Sequence, residues 1–169
     1  MRIGVLADIH GNILALEAVL AHLAPHKPDL IVNLGDCASG PLWARETLDR
    51  LQSLNAATVR GNHDCWVAEH DPAKMEPSDR FALDEITSEQ RRALGALPLR
   101  LHVAPGVLAF HATPTDDNLY LLEEIESGHL LRGVPRGFPS ASAMSPRASC
   151  SAATVIGRIL SAFPAVRSS

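Results

Sequence analysis

Cysteine is scarce in this 169-residue chain: the three present, Cys37, Cys65 and Cys150, show neither paired nor CxxC spacing. A disulfide framework and a zinc knuckle are thereby excluded, and a reducing compartment is expected. Basic charge is not in excess, the formal net charge being -4 at pH 7. Together with an aromatic content of 4% and no basic, base-stacking segment, this argues against a nucleic-acid partner. No apolar run nears the roughly eighteen residues of a membrane span. Strand-like sequence from Arg2 leaves no room for a signal peptide. The expectation is a cytoplasmic protein with no membrane partner. Its hydrophobic content of 46% suffices for one buried core.

A second deficiency divides the chain. From Arg132 to the C-terminus there is no Asp, Glu or His, while Ser, Ala, Pro and Arg dominate, as in Pro139-Ser140-Ala141-Ser142-Ala143. Residues 1–131 are therefore expected to form the folded core. Residues 132–169 read as an atypical tail, disordered or foreign to the fold.

What is present is a set of metal-type ligands, each where a strand should run out. Asp8-Ile9-His10 follows the apolar run Ile3 to Ala7, Gly35-Asp36 follows Leu30 to Leu34, and Gly61-Asn62-His63-Asp64 follows Ala57 to Val59. Between them, Ile13, Leu16, Leu20 and Leu23 recur at helical spacing, with Asn12 as N-cap and Pro25 as terminator. A second helix is expected from about Trp43 to Leu54, between strands Asp29 to Leu34 and Ala56 to Arg60. Strands alternating with helices imply a parallel sheet, which gathers the ligands at one edge, where α/β proteins carry their chemistry.

Farther on, Glu69 to Asp79 reads as a charged, proline-containing loop, and Thr87 with Gln90 as the capping box of another helix. Leu99 to Val103 and Val107 to Phe110 flank Ala104-Pro105-Gly106 as a β-hairpin that delivers His111. The Glu123-Glu124-Glu126 cluster reads as a solvated helix face. Trp43, Trp66 and Phe81 are expected at the core or an edge, with the lining of a substrate pocket as the alternative, and His22, His26, His70, His102 and His129 in solvent.

Asp, His and Asn together suit Mn, Fe, Co or Zn better than Ca, which prefers all-oxygen sites. A carboxylate offers two oxygens, so Asp36 is the candidate bridge between two ions about 3.5 to 4 Å apart. Gly11, Gly35 and Gly61 would let the backbone turn and approach closely.

In its order of Asp-x-His, Gly-Asp, Gly-Asn-His-Asp and a later His, the chain resembles the calcineurin-like metallophosphoesterase superfamily, especially its small bacterial phosphoesterases, over roughly residues 1 to 131. The resemblance implies an α/β fold, a four-layer αββα sandwich, with the C-terminal part of its second sheet missing here. It implies two divalent ions, Mn first, with Fe, Co, Zn or Ni as alternatives. One ion would take Asp8, His10 and bridging Asp36. The other would take Asp36, Asn62 and His111. His63 would assist the leaving group and Asp64 would support the ligands from behind.

The implied reaction is hydrolysis of a phosphate mono- or diester, a bridging hydroxide attacking phosphorus. The substrate would be a small phosphoester, with a nucleotide as one alternative and self-association left open. The family's Gly-His-x-His motif, one further histidine for each ion, is absent, which leaves a catalytically impaired binding scaffold as the alternative. The codons for Ala152 to Ile156, read from the third base of the first, permit Gly-His-Ser-His. A change of frame between about Leu131 and Ser149 would account for the tail. Sequencing the coding DNA is expected to find third bases that spell those histidines; any other bases refute the frame change.

Overall fold

The computed structural model describes residues 1–119 and, beyond them, three strand segments at 123–126, 129–132 and 154–156. β1 (Ile3–Leu6), β2 (Leu30–Asn33) and β3 (Ala57–Thr58) pair in parallel in that order, with Ile3 opposite Leu30 and Val32 opposite Ala57. The second and third strands are shorter at both ends than the expected Asp29 to Leu34 and Ala56 to Arg60. Parallel neighbours require a crossover, supplied by α1 (Ile13–Leu23) and α2 (Ala44–Leu54). The first opens where Asn12 Oδ1 accepts the Ala15 N–H at 3.0 Å, and it ends just before Pro25. The second buries Ala44, Thr47 and Leu51, an i, i+3, i+7 stripe against the sheet.

The hairpin forms as expected. β4 (Arg100–Ala104) and β5 (Val107–Phe110) are antiparallel, and Gly106 at the turn has a φ of +72°. On its other edge β5 pairs in parallel with β8 (Thr154–Ile156), so three residues of the tail run as a strand of this sheet. The rest of the tail, from Gly133 on, lies outside the described residues.

The Glu123-Glu124-Glu126 cluster corrects the sequence reading. It lies in a strand, β6 (Glu123–Glu126), antiparallel to β7 (His129–Arg132), with Ile125 opposite Leu130. Four residues are too few to display a helical period, and Ser127-Gly128 between the two segments is itself a turn sequence.

The span from Gly61 to Glu85 is more helical than the sequence suggests. α3 (Asn62–Glu69) begins within the third ligand motif. The expected loop Glu69 to Asp79 holds a 3₁₀ turn, Pro72–Lys74, and then the start of α4 (Pro77–Glu85). Proline at the first helical position has its φ preset and lacks only an N–H that would have no intrahelical partner, so Pro77 marks a beginning rather than a break. α5 (Ser88–Gly95) follows. Thr87 Oγ1 accepts the Gln90 N–H at 3.1 Å and Gln90 Oε1 accepts the Thr87 N–H at 2.9 Å, which makes the expected capping box.

Two cores separate three layers. Leu16, Leu51, Val67, Ala82 and Leu94 pack the helices onto the first sheet. Val32, Leu34, Val59 and Ala109, with Leu101 and Val103 beside them, fill the space between the two sheets. One helical layer and both sheets of an αββα sandwich are therefore present among the described residues. Trp43, just before α2, and Phe81, midway along α4, are 44% and 41% exposed, so of the expected core or edge places neither holds the core one. His22, His26, His70 and His102 are exposed, as expected.

Replacing Thr87 by Ala removes half of the capping box. The expected cost is about 1 kcal/mol, read as a lower urea midpoint at unchanged slope.

Candidate metal centre

The three ligand motifs leave the C-terminal ends of β1, β2 and β3 together. Backbone pairing continues past the first two strands: the N–H groups of Asp8, His10 and Gly11 donate to the carbonyls of Gly35, Asp36 and Cys37 at 3.1, 2.9 and 2.9 Å. Within this extension Asp8, His10 and Asp36 adopt φ values of +54°, +49° and +57°. Left-handed backbone costs a non-glycine residue on the order of 1 kcal/mol or more. Three such residues in one cluster mark a site whose geometry the surrounding fold enforces.

The loops after β2 and β3 cross in contact. A Cβ at Gly35, whose φ is +94°, would overlap the Gly61 nitrogen, and a Cβ at Gly61 would overlap Asp36 Oδ1. Beneath this crossing lies the carboxylate of Asp64, from the first turn of α3 and almost fully buried. Its Oδ2 accepts the N–H groups of Asp36 and Gly61 at 2.9 and 3.0 Å, and its Oδ1 accepts that of Cys37 at 2.8 Å. Burial raises its pKa to about 6, with a push from Asp36, against the pull of those backbone donors. The buried Cys37 thiol is raised well above its ordinary value, first by burial and then by Asp64. It stays protonated and is no nucleophile.

Asp36 occupies the middle of the cluster. Its Oδ1 accepts the His63 backbone N–H at 3.0 Å. Its Oδ2 lies 3.7 Å from His10 Nε2 and 3.5 Å from His111 Nε2. The ligand atoms of Asp8, His10 and Asp36 all lie within 4.8 Å of one another. Across Asp36, His111 Nε2 is 3.1 Å from Asn62 Oδ1. The two expected half-sites are thus each brought together, with Asp36 common to both.

The histidine tautomers test whether this set suits a metal. His10 Nδ1 lies 2.9 Å from the Ser39 carbonyl and His111 Nδ1 lies 2.7 Å from the Leu34 carbonyl. A carbonyl can only accept, so each Nδ1 donates to it, which leaves Nε2, the nitrogen nearer Asp36, as the atom through which each ring could ligate an ion. Outer hydrogen bonds of this kind fix the rings of metal-binding histidines. Carboxylate oxygens and imidazole lone pairs that converge in this way fit divalent cations.

His63 stands beside the cluster, its ring edge-on to that of His10 at a centroid distance of 5.2 Å. Its Nδ1 is 2.8 Å from Asp79 Oδ1, and Asp79 is only 2% exposed. Sequence reasoning missed Asp79. The signal available was Pro77, which as a helix start puts Asp79 in the first turn of α4. It also left open the part played by Trp66, whose ring packs against His63 at 4.6 Å.

These features coincide with what comparison shows. The family model for the calcineurin-like phosphoesterases matches residues 1–138, and the chain belongs to that family. Among solved structures it is similar to a metallophosphoesterase from Sphaerobacter thermophilus, at 28% identity and a TM-score of 0.62, over 73% of this chain and 52% of that one. A hypothetical protein from Pyrococcus horikoshii OT3 shares the fold at 22% identity and a TM-score of 0.59, over 69% of this chain and 56% of its own. A protein titled "putative diadenosine tetraphosphatase" is 25% identical with a TM-score of 0.59, over 92% of this chain and 73% of its own. The chain spans about half the length of the first two structures. None of the curated proteins is significantly similar in sequence.

Substituting Gly61 by Ala should drive a methyl group into the Asp36 carboxylate. Manganese binding measured by calorimetry is expected to fall at least about tenfold, the equivalent of about 1.4 kcal/mol. Unchanged binding would mean that the loop crossing does not position the ligands.

Proposed function

We propose that this chain hydrolyses phosphate mono- or diesters with two divalent ions. Asp8, His10 and Asp36 would hold one ion, and Asp36, Asn62 and His111 the other. The observation that carries this reading is the approach of both the His10 and the His111 Nε2 atoms to one Asp36 oxygen, at 3.7 and 3.5 Å. Manganese fits the mixed oxygen and nitrogen donors, as do iron, cobalt, zinc and nickel. When bound, the ions supply an activated water and neutralise charge that accumulates on the phosphoryl oxygens.

The remaining work falls to the protein. Asp64 keeps the ligand loops in register, and Asp36 orients the His63 backbone as it spans the two half-sites. His63 donates a proton from Nε2 to the departing oxygen. The substrate is a small phosphoester. A nucleotide is the more specific version, supported by the name of one similar protein. No described helix is long and apolar enough to cross a membrane, and we place the protein in the cytoplasm.

A second reading, a binding scaffold impaired in catalysis, is favoured by the sequence after His129, which holds no histidine and leaves each ion three protein ligands. A change of reading frame in the tail remains our proposal for that gap.

The discriminating measurement is manganese-dependent hydrolysis of a nitrophenyl phosphodiester, with Asp36→Asn as control. The expected result is turnover that falls about 100-fold or more in the variant. A soluble, folded wild-type chain that binds manganese yet shows no turnover would decide for the scaffold. Turnover indifferent to Asp36 would remove the site assignment.

A further inference from the structure

On the helix-covered face of the first sheet, a cavity of about 440 Å³ is lined by α2, by α5 and by the last residues of β2 and β3. That is the volume of a small-molecule site, far above the voids of a close-packed interior. Its walls are aliphatic, with Leu48 and Leu51 from α2 and Leu94 and Leu97 from the end of α5 and just beyond. Neither Lys nor Arg lines it. Its one acid, Glu89, has a side chain 76% exposed and takes a hydrogen bond from Arg92 at 2.9 Å. A phosphorylated molecule would find no cation there, so the chemistry of the lining selects an uncharged occupant.

The floor is polar. Asn33 and Thr58 are register partners on β2 and β3, on neighbouring strands roughly 4.8 Å apart. Val32 and Val59, their neighbours in sequence, fill the space between the sheets, which turns Asn33 and Thr58 to the helix side. Asn33 is fully buried. Its Oδ1 accepts the Gly35 N–H at 3.3 Å and its Nδ2 donates to Cys37 Sγ at 3.2 Å. An amide nitrogen carries two hydrogens and sulfur is a weak acceptor. Sγ is the one acceptor that Nδ2 meets among the described residues, which leaves a hydrogen for the cavity. Thr58 Oγ1 donates to the Ala56 carbonyl at 3.1 Å and keeps its lone pairs to accept. The turn after β2 needs only Asn33 Oδ1, and a buried amide used by half is costly to desolvate. The matching ligand edge is a carbonyl oxygen beside an N–H, on a flat apolar body. A cyclic amide of the kind found in pyrimidinediones and hydroxypurines has that edge without a charge.

We propose that this cavity is a second binding site, for an uncharged cyclic amide whose carbonyl accepts from Asn33 Nδ2 and whose N–H donates to Thr58 Oγ1. Asn33 also carries the effect of occupancy to the metal centre. Gly35 and Cys37, which it bonds, flank Asp36, so a ligand that pins the Asn33 amide stiffens the loop that presents the Asp36 carboxylate. Two separate sites then share one element that both bias. The inference does not depend on which reaction the centre performs.

The test is calorimetric titration of the full chain with uracil, with 1,3-dimethyluracil and orotate as controls, on wild type, Thr58→Val and Ala93→Phe. Uracil is expected to bind saturably with a Kd of about 1 mM or tighter. Dimethyluracil keeps both carbonyls but has no N–H, and orotate adds a carboxylate. Each should bind at least about tenfold more weakly. Thr58→Val removes the acceptor at nearly constant volume and should weaken uracil about tenfold. Ala93 is an exposed residue of the lining, so phenylalanine there fills the cavity from its solvent side and should abolish binding. With uracil at saturation, exchange of the Gly35 amide hydrogen, followed by NMR, should slow at least about threefold. No saturable uracil binding, equal binding of either control, or binding that survives Ala93→Phe overturns the site. Should Ala93→Phe not fold, an undiminished affinity in Thr58→Val does the same. An unchanged Gly35 exchange rate overturns the coupling to the Asp36 loop and leaves the site standing.

Discussion

The structure of the site depends on one buried carboxylate. Asp64 accepts the backbone N–H groups of Asp36, Cys37 and Gly61 at 2.8 to 3.0 Å, and these belong to two loops that no strand pairing holds together at that depth. Take the carboxylate away and three buried donors lose their acceptor at the place where glycines already bring the loops into contact, each with a desolvation penalty of about 1–3 kcal/mol. Both Asp36 and Asn62 hang on this crossing. The fourth residue of the Gly-Asn-His-Asp motif thus does for the backbone what the second does for the ligand set.

Around that crossing the ligands divide by sheet. Asp8, His10 and Asp36 lie on loops beyond the strands of the first sheet and Asn62 opens α3 after the third strand, whereas His111 directly follows β5 of the second sheet. The site is an interface between two layers rather than a property of one. The helices contribute a different chemistry. α3 carries His63 and α4 carries Asp79, whose carboxylate lies 2.8 Å from the His63 ring.

Much of this was legible in the sequence because ligand motifs at strand ends combine two independent signals, an apolar run and a polar residue type with few reasons to follow it. That logic anticipates Asp8, His10, Asp36, Asn62 and His63, and the hairpin sequence about Pro105-Gly106 anticipates where His111 emerges. It fails where those signals conflict. The charge and proline between Glu69 and Asp79 mask a helix start at Pro77, and with it the 16-residue separation of His63 and Asp79, which no periodicity connects. It fails again at Glu123 to Glu126, where pairing with the neighbouring segment His129–Arg132 outweighs local helix preference. Left-handed backbone at Asp8, His10 and Asp36 has no sequence signature either, since the residues tolerate that conformation without requiring it.

The inter-sheet core is thin: Val32, Leu34, Val59 and Ala109, all buried. Ala109, on β5, stands two residues before His111, and Leu34 both fills that core and offers the carbonyl that holds the His111 ring. The gap between the two half-sites is therefore a packing dimension, set by the summed volume of a few aliphatic side chains. A methylene added or removed there would work as a spacer and change the distance between His111 and Asp36 with every ligand intact. Such positions give the chain a means of retuning its chemistry from within the oil of the sandwich, at residues that a survey of catalytic motifs would pass over.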